Sequence, residues 1–251
     1  MKLPLSWIKE FAPVQAAGRE VAQALINAGL EVEGVDNLGE GVNGTLVIGR
    51  VLEIEELTEF KKPIRWCQVD VGTQIRGIVC GASNFSVGEH VVVAEPGVTL
   101  PGDFTITSRE TYGHVSDGMI CSERELGLGP DHAGIMVLSG VEPGQNANEL
   151  LGIGDQVLDI AITPDRGYAL SVRGIAREVA TAFGVDLRDP ASHFVPELGA
   201  PAAGMTPRDC VIDDFSACEL LTLRTVNGFN PDSSTPHYMV ARLQASGIRS
   251  I

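Results

Sequence analysis

Apolar residues recur at helical spacing in three well-separated places along the chain. Val21, Ala24, Leu25 and Ala28 share one face of a helix predicted over Gly18–Ala28, and Gly29 supplies its C-terminal stop. A shorter helix is expected over Ser6–Phe11, ended by Pro13. Ser171 stands as the N-cap of a helix striped by Val172, Ile175, Ala176, Val179 and Phe183 and closed by Gly184. A last helix is predicted from Pro236, capped by Thr235, through Val240 and Leu243 to Gly247. Strand-like stretches begin at Leu30 and run over Val157–Ile162, with a turn at Thr163–Gly167.

Between Gly41 and Gly144 the period drops to two. Thr45–Leu57 is a long β-branched run, and Ile64–Val71 alternates up to Gly72. Gln74–Cys80, His90–Ala94 and Phe104–Thr107 follow, separated by Glu95-Pro96-Gly97 and Leu100-Pro101-Gly102-Asp103. Ser122-Glu123-Arg124-Glu125 has the capping-box form of a short helix. Five strands and one short helix point to a small barrel such as the oligonucleotide/oligosaccharide-binding (OB) fold, and strand order leaves a sandwich open. Asp189–Pro207 carries Pro190, Pro196, Pro201 and Pro207 among small residues and reads as a linker. Strand-like segments surround Val211 and Leu220–Val226, and Gly247–Ile251 resembles the start of another strand. About 40 residues are near the limit for an independent core, so the chain is expected to be cut from a longer one.

Composition narrows the partners. Eighteen Lys and Arg stand against 33 Asp and Glu in 251 residues, a formal net charge of −15. That excludes affinity for nucleic acid or anionic membrane driven by overall charge, so any RNA must be held by a local patch. Over Gly41–Leu150 the count is 7 basic and 15 acidic residues. The five cysteines, Cys67, Cys80, Cys121, Cys210 and Cys218, form no Cys-x-x-Cys pair or zinc spacing. With no signal peptide and no 18-residue apolar run, a soluble cytoplasmic protein with reduced, mostly buried thiols is expected, and no membrane contact.

Candidate chemistry is sparse. Cys121 with His132 or His114 could form a thiol and its base, against the plainer reading of a buried structural cysteine. Gly127-Leu128-Gly129-Pro130 completes neither phosphate-loop pattern and reads as a turn. Asp103, Asp117, Asp213 and Asp214 lack metal-ligand spacing, so no metal site and no catalytic residue is assigned. Arg166, Arg173 and Arg177 are read as local ion pairs with Asp165 and Glu178. The RNA-binding candidates are Lys61, Lys62 and Arg65, with Trp66 as a base-stacking ring beside Phe60. Arg65 and Trp66 are strand neighbours and so face opposite ways, which leaves Trp66 open to a core role.

Several ordered stretches are more specific. They include Ala28-Gly29-Leu30-Glu31-Val32-Glu33-Gly34-Val35, Gln68-Val69-Asp70-Val71-Gly72, Ser116-Asp117-Gly118-Met119-Ile120-Cys121-Ser122 and Gly174-Ile175-Ala176-Arg177-Glu178-Val179-Ala180. Along essentially its full length the chain resembles the N-terminal part of the bacterial phenylalanyl-tRNA synthetase beta subunit. The resemblance implies an α2β2 partnership with an alpha subunit that carries the chemistry, with tRNA(Phe) as substrate and ATP and Mg2+ as requirements of the holoenzyme. It implies a fold class of α+β: an α/β framework (1–38 and 153–190) around an OB-fold tRNA-binding barrel (39–152). A linker (191–208) then leads to the start of an editing domain (209–251), which in the complete family removes mischarged tyrosine. The fragment itself is expected to bind no cofactor and to neither charge nor edit tRNA. Thr58–Ile64, with Lys61 and Lys62, replaces an Asn-Ala-Asp stretch common in the family and adds positive charge to a barrel loop. The alternative is a free-standing, non-catalytic tRNA-binding accessory, against which the framework motifs over 158–180 argue.

Overall fold

A computed structural model describes residues 1–60, 64–129, 134–193, 211–221, 223, 228, 230–233 and 235–248. In chain order its elements are β1 (Lys2–Pro4), α1 (Leu5–Phe11), α2 (Gly18–Asn27), β2 (Glu31–Asn37), β3 (Leu46–Leu57), β4 (Ile64–Asp70), β5 (Ile75–Cys80) and β6 (His90–Ala94). There follow β7 (Thr99–Leu100), β8 (Phe104–Thr105), β9 (Arg109–Thr111), β10 (His114–Ser116), β11 (Met119–Ile120) and β12 (Val137–Leu138). The chain continues with α3 (Ala147–Leu151), β13 (Gln156–Ala161), α4 (Val172–Phe183), α5 (Pro190–His193) and α6 (His237–Ala245). It divides into two compact units, Met1–Arg188 with Thr235–Ile251, and Asp189–Ser234.

The framework part of the first unit is a three-stranded sheet in the order β1-β13-β2. Leu5 and Ile8 of α1, Val21 and Leu25 of α2, and Ile175 and Val179 of α4 bury against Leu158 and Ile160 of β13. Both pairings are antiparallel, so this layer is α+β, not the α/β arrangement expected. Adjacent strands far apart in sequence explain it: β1 and β2 flank β13, which returns only after the whole central domain. Ser171 caps α4, its hydroxyl accepting the Gly174 N–H at 3.0 Å, and Gly184 ends the helix at φ 62°. The turn predicted at Thr163–Gly167 is a 3-10 helix, Pro164–Ala169. Its Arg166 donates to the Ala28 carbonyl at 3.1 Å and so caps the C-terminus of α2, while its charge also acts on Asp165, whose carboxyl is held low first by the Thr163 hydroxyl.

The central domain is a curled antiparallel sheet in the order β11-β6-β3-β4-β5. Its curl starts in β3, whose first half pairs β6 and whose second half pairs β4, with a bulge between Val51 and Glu53. Val91 and Val93 of β6 point into one core with Val69, Ile78 and Phe85, while Val92 and Ala94 enter a second core with Leu46, Ile48 and Leu126. The two ends of the sheet then meet. Just before β11, the Asp117 N–H donates to the Gly77 carbonyl of β5 at 2.8 Å.

The element at 104–107 corrects one strand assignment. Phe104 and Thr105 pair only with β7 in a separate hairpin, and the edge beside β6 is taken by β11 and β12. The capping box at Ser122 does form, the Glu125 carboxylate accepting the Ser122 N–H at 2.7 Å, but Gly127 at φ 67° turns the chain before a helix develops. At the other end of the chain α6 starts at His237 with Pro236 in the N-cap position, one residue later than the predicted start at Pro236 with a Thr235 cap, and it belongs to the first unit. There His237 Nε2 accepts the Ser139 N–H at 2.8 Å, and Arg242 lies 5.5 Å over the Trp7 ring. Burial holds the His237 imidazole below its ordinary 6.5, which favours the neutral form that accepts this bond. In the second unit, no strand occurs among the described residues of 211–221, while the linker at 194–208 and most of Leu220–Val226 lie outside the described residues.

One close approach fixes how the 3-10 helix meets α4. A Cβ on Gly174 would lie 2.0 Å from the Tyr168 carbonyl oxygen, which is backbone and cannot swing aside. Gly174→Ala should therefore destabilise the chain by about 2–3 kcal/mol in chemical denaturation, an overpacking cost. A change below about 0.5 kcal/mol, the range of neutral surface substitutions, would contradict this packing.

Candidate nucleic-acid interface

Strand alternation sorts β4 into two faces. Cys67 and Val69 enter the core, and Trp66 and Gln68 lie on the outer face. Arg65 shares the inner parity and caps one end of the core. Its Nη1 donates to the Phe85 carbonyl at 2.7 Å, its guanidinium lies 5.1 Å over the Phe85 ring, and its Nε is 2.8 Å from a Glu56 carboxylate oxygen. Arg76 caps the opposite end, held by Glu95 at 2.7 Å and by Asp117. Both arginines are thus structural pins. A desolvated, hydrogen-bonded cation of this kind is costly to unpair.

Trp66 seats a hairpin. Its indole lies over Gly77, where a Cβ would come within 2.0 Å of the ring, and stacks on the His114 imidazole at 4.6 Å and 28°. His114 belongs to β10, so the ring pair holds the β9–β10 hairpin against the outer face of the sheet. Ser116 adds a second tie, its hydroxyl accepting the Val79 N–H at 3.1 Å. Glu55 is directly across the strand pair from Trp66. Of the four RNA-binding candidates, Arg65 and Trp66 therefore sit on opposite faces, and Lys61 and Lys62 lie outside the described residues.

Exposed rings gather beside this hairpin: Phe60, noted from sequence beside the basic loop, and Tyr112, which sequence reasoning missed. Phe60 and Tyr112 pack edge to face at 4.7 Å and remain 40% and 44% exposed. Tyr112 shares with Phe104 and Arg109 the lining of a groove of about 310 Å³. A legible signal was Thr111-Tyr112-Gly113-His114, a two-residue hairpin turn that lifts an aromatic off the sheet.

Residues 46–146 match a family described as "Putative tRNA binding domain". Over the whole chain, curated relatives include the phenylalanine–tRNA ligase beta subunits of Thermobifida fusca, 52% identical over 263 residues, and Streptomyces avermitilis, 52% identical over 261. That of Mycobacterium leprae is 46% identical over 260 residues. The chain belongs to the phenylalanine–tRNA ligase beta-subunit family. Each of these alignments covers all of the chain and 31% of the relative, so the chain spans about a third of the length of the beta subunits it matches.

Within this family member, the thiol chemistry considered from sequence does not survive. Cys121 is fully buried, and burial, followed by the nearby Glu125 charge, pushes its thiol up to about 12. Burial does the same to Cys67, also to about 12, and raises Cys80. His114 is committed to Trp66, and His132 lies outside the described residues. Among the described residues no group of three or more His, Cys, Asp or Glu could hold a metal ion, and no helix is long and apolar enough to cross a membrane.

The thiol assignment is directly measurable. Cys67, Cys80 and Cys121 should resist a thiol-reactive disulfide reagent in the folded chain at neutral pH, whereas the exposed Cys218 should react at once. Rapid modification of Cys121 in folded protein would contradict the assignment.

Proposed function

We propose that the chain works as a non-catalytic part of a phenylalanine–tRNA ligase beta subunit and that its central domain contacts tRNA(Phe). The observation that carries this reading is the full-length likeness to beta subunits together with the tRNA-binding match over 46–146. The framework adds support against a free-standing accessory module, because β1, β2, β13, α1, α2 and α4 bury a core of their own beside the curled sheet.

On this reading the ligase is a cytoplasmic α2β2 assembly whose alpha subunit joins phenylalanine to tRNA with ATP and Mg2+. Proofreading of mischarged tyrosine belongs to the complete beta chain, with 209–251 contributing the start of the editing domain after the 191–208 linker. The segments 1–38 and 153–190 frame the barrel domain of 39–152. Lys61 and Lys62, which fall between β3 and β4 in the sequence, take the role of phosphate contacts. Arg65 holds the root of that loop in place through Phe85 and Glu56. Trp66 acts through the hairpin it seats.

With an overall charge of −15, binding must show its local origin in the salt response. The chain should bind tRNA with a log–log salt slope that Lys61→Ala/Lys62→Ala makes shallower by about 1–2. Arg65 is left intact in this test, since its removal would damage the core end. Absence of tRNA binding at low salt would overturn the reading, and an unchanged slope in the double variant would remove the loop from it.

A further inference from the structure

The groove beside the hairpin is one end of a longer trough. A second concavity of about 650 Å³ shares Val79, Gly81, Arg109 and Met119 with it and extends to Arg124 at the Ser122–Glu125 turn. We propose that this trough holds an unpaired stretch of RNA, with bases stacked on Tyr112 and Phe104 and phosphates on Arg109 and Arg124. The inference rests on the tRNA-binding reading above and gives that domain a specific occupant.

Three features point to it. Tyr112 sits at φ 53° and Gly113 at φ 77°, so a bulky aromatic occupies the left-handed position of a two-residue turn that usually falls to Asn, Asp or Gly. Such strain is retained where it serves something. Core burial is not that reason, since the Tyr112 ring is 44% exposed and Phe104 is 48% exposed on the facing segment.

The second feature is cationic. Arg109 and Arg124 are exposed, and neither guanidinium has an ion-pair or hydrogen-bond partner among the described residues. The two acids flanking Arg124 are already engaged: Glu125 takes the Ser122 N–H and hydroxyl, each at 2.7 Å, and Glu123 accepts from Gln244 at 3.2 Å. Two uncommitted guanidinium groups in one trough are notable in a domain with twice as many acids as bases. The opposite side of the outer face, with Glu53 and Glu55 on β3, repels phosphate, so charge favours this side for a nucleic-acid backbone.

Third, the trough offers ring faces. Stacked bases inside a duplex cannot reach them, and two arginines give a duplex little to hold against the acidic background. An unstacked loop or end satisfies both sets of groups.

The test uses the whole chain and fluorescence anisotropy with a labelled single-stranded oligoribonucleotide of about 8 nucleotides, an RNA duplex, and a tRNA(Phe) transcript. The single strand should bind more tightly than the duplex. Tyr112→Asn, which suits the left-handed turn, should weaken it by about 5- to 150-fold, the range for one lost stack. Arg109→Gln/Arg124→Gln should reduce the salt slope by about 1.4 for two single-strand phosphates. Phe104→Ala serves as a second variant should Tyr112→Asn lower the thermal midpoint. Equal binding of duplex and single strand, or unchanged affinity in folded Tyr112 and Phe104 variants, overturns the inference. If tRNA binding and its Lys61/Lys62 dependence persist in that case, the proposed function stands without it. Displacement by polyglutamate as readily as by RNA would assign the trough to acidic protein segments and also overturn it. No binding of any RNA sinks both.

Discussion

The central domain depends on one half-buried cation. Arg76 enters the open end of the curled sheet and is held there by Glu95, which follows β6, and by Asp117, which precedes β11. Asp117 also accepts from the Ser108 hydroxyl, while its own N–H donates to the Gly77 carbonyl on β5. A single ion-paired residue thus ties both ends of the sheet to the strand leading into the β9–β10 hairpin. Without the guanidinium, two carboxylates would face each other at a half-buried seam, a far larger penalty than the loss of a surface ion pair. The position of every outer-face group follows from this closure: His114 against Trp66, Tyr112 above the groove, and Arg109 beside it.

The legible parts of the fold were those with enough repeats for periodicity to accumulate. The α4 stripe, with Ser171 and Gly184 at its ends, and the alternation through β3, β4, β5 and β6 each extend over five or more residues. The two-residue strands β11 and β12 carry no pattern of their own, and their pairing with β6 is decided by the curl. Phe104–Thr107 had a strand-like sequence yet formed only a short hairpin with β7, because the edge beside β6 was filled by Met119 and Ile120. Likewise α3 is five residues long and is set by Asn146, whose side chain accepts the Asn148 N–H at 3.0 Å.

The site was less legible than the fold. Neighbouring Arg65 and Trp66 invited a combined role, but strand geometry sends one into the core and the other to the hairpin. The proposed trough instead draws on residues far apart in sequence, Phe104, Arg109, Tyr112 and Arg124, brought together by the fold. No local spacing announces such a set. The acidity of the chain takes on a more specific meaning in this setting. On the proposed reading it confines any attraction for RNA to the few places where cations lack carboxylate partners, so that ring stacking would count as much as charge.

On the proposed reading, RNA lies along the hairpin side of the central domain. Ultraviolet crosslinking of tRNA(Phe) to the whole chain, followed by peptide mapping, tests it most directly. Crosslinks should fall within the segment 104–124, with Tyr112 and Phe104 the principal acceptors. Crosslinks confined to the framework helices or to residues 211–248 would contradict it.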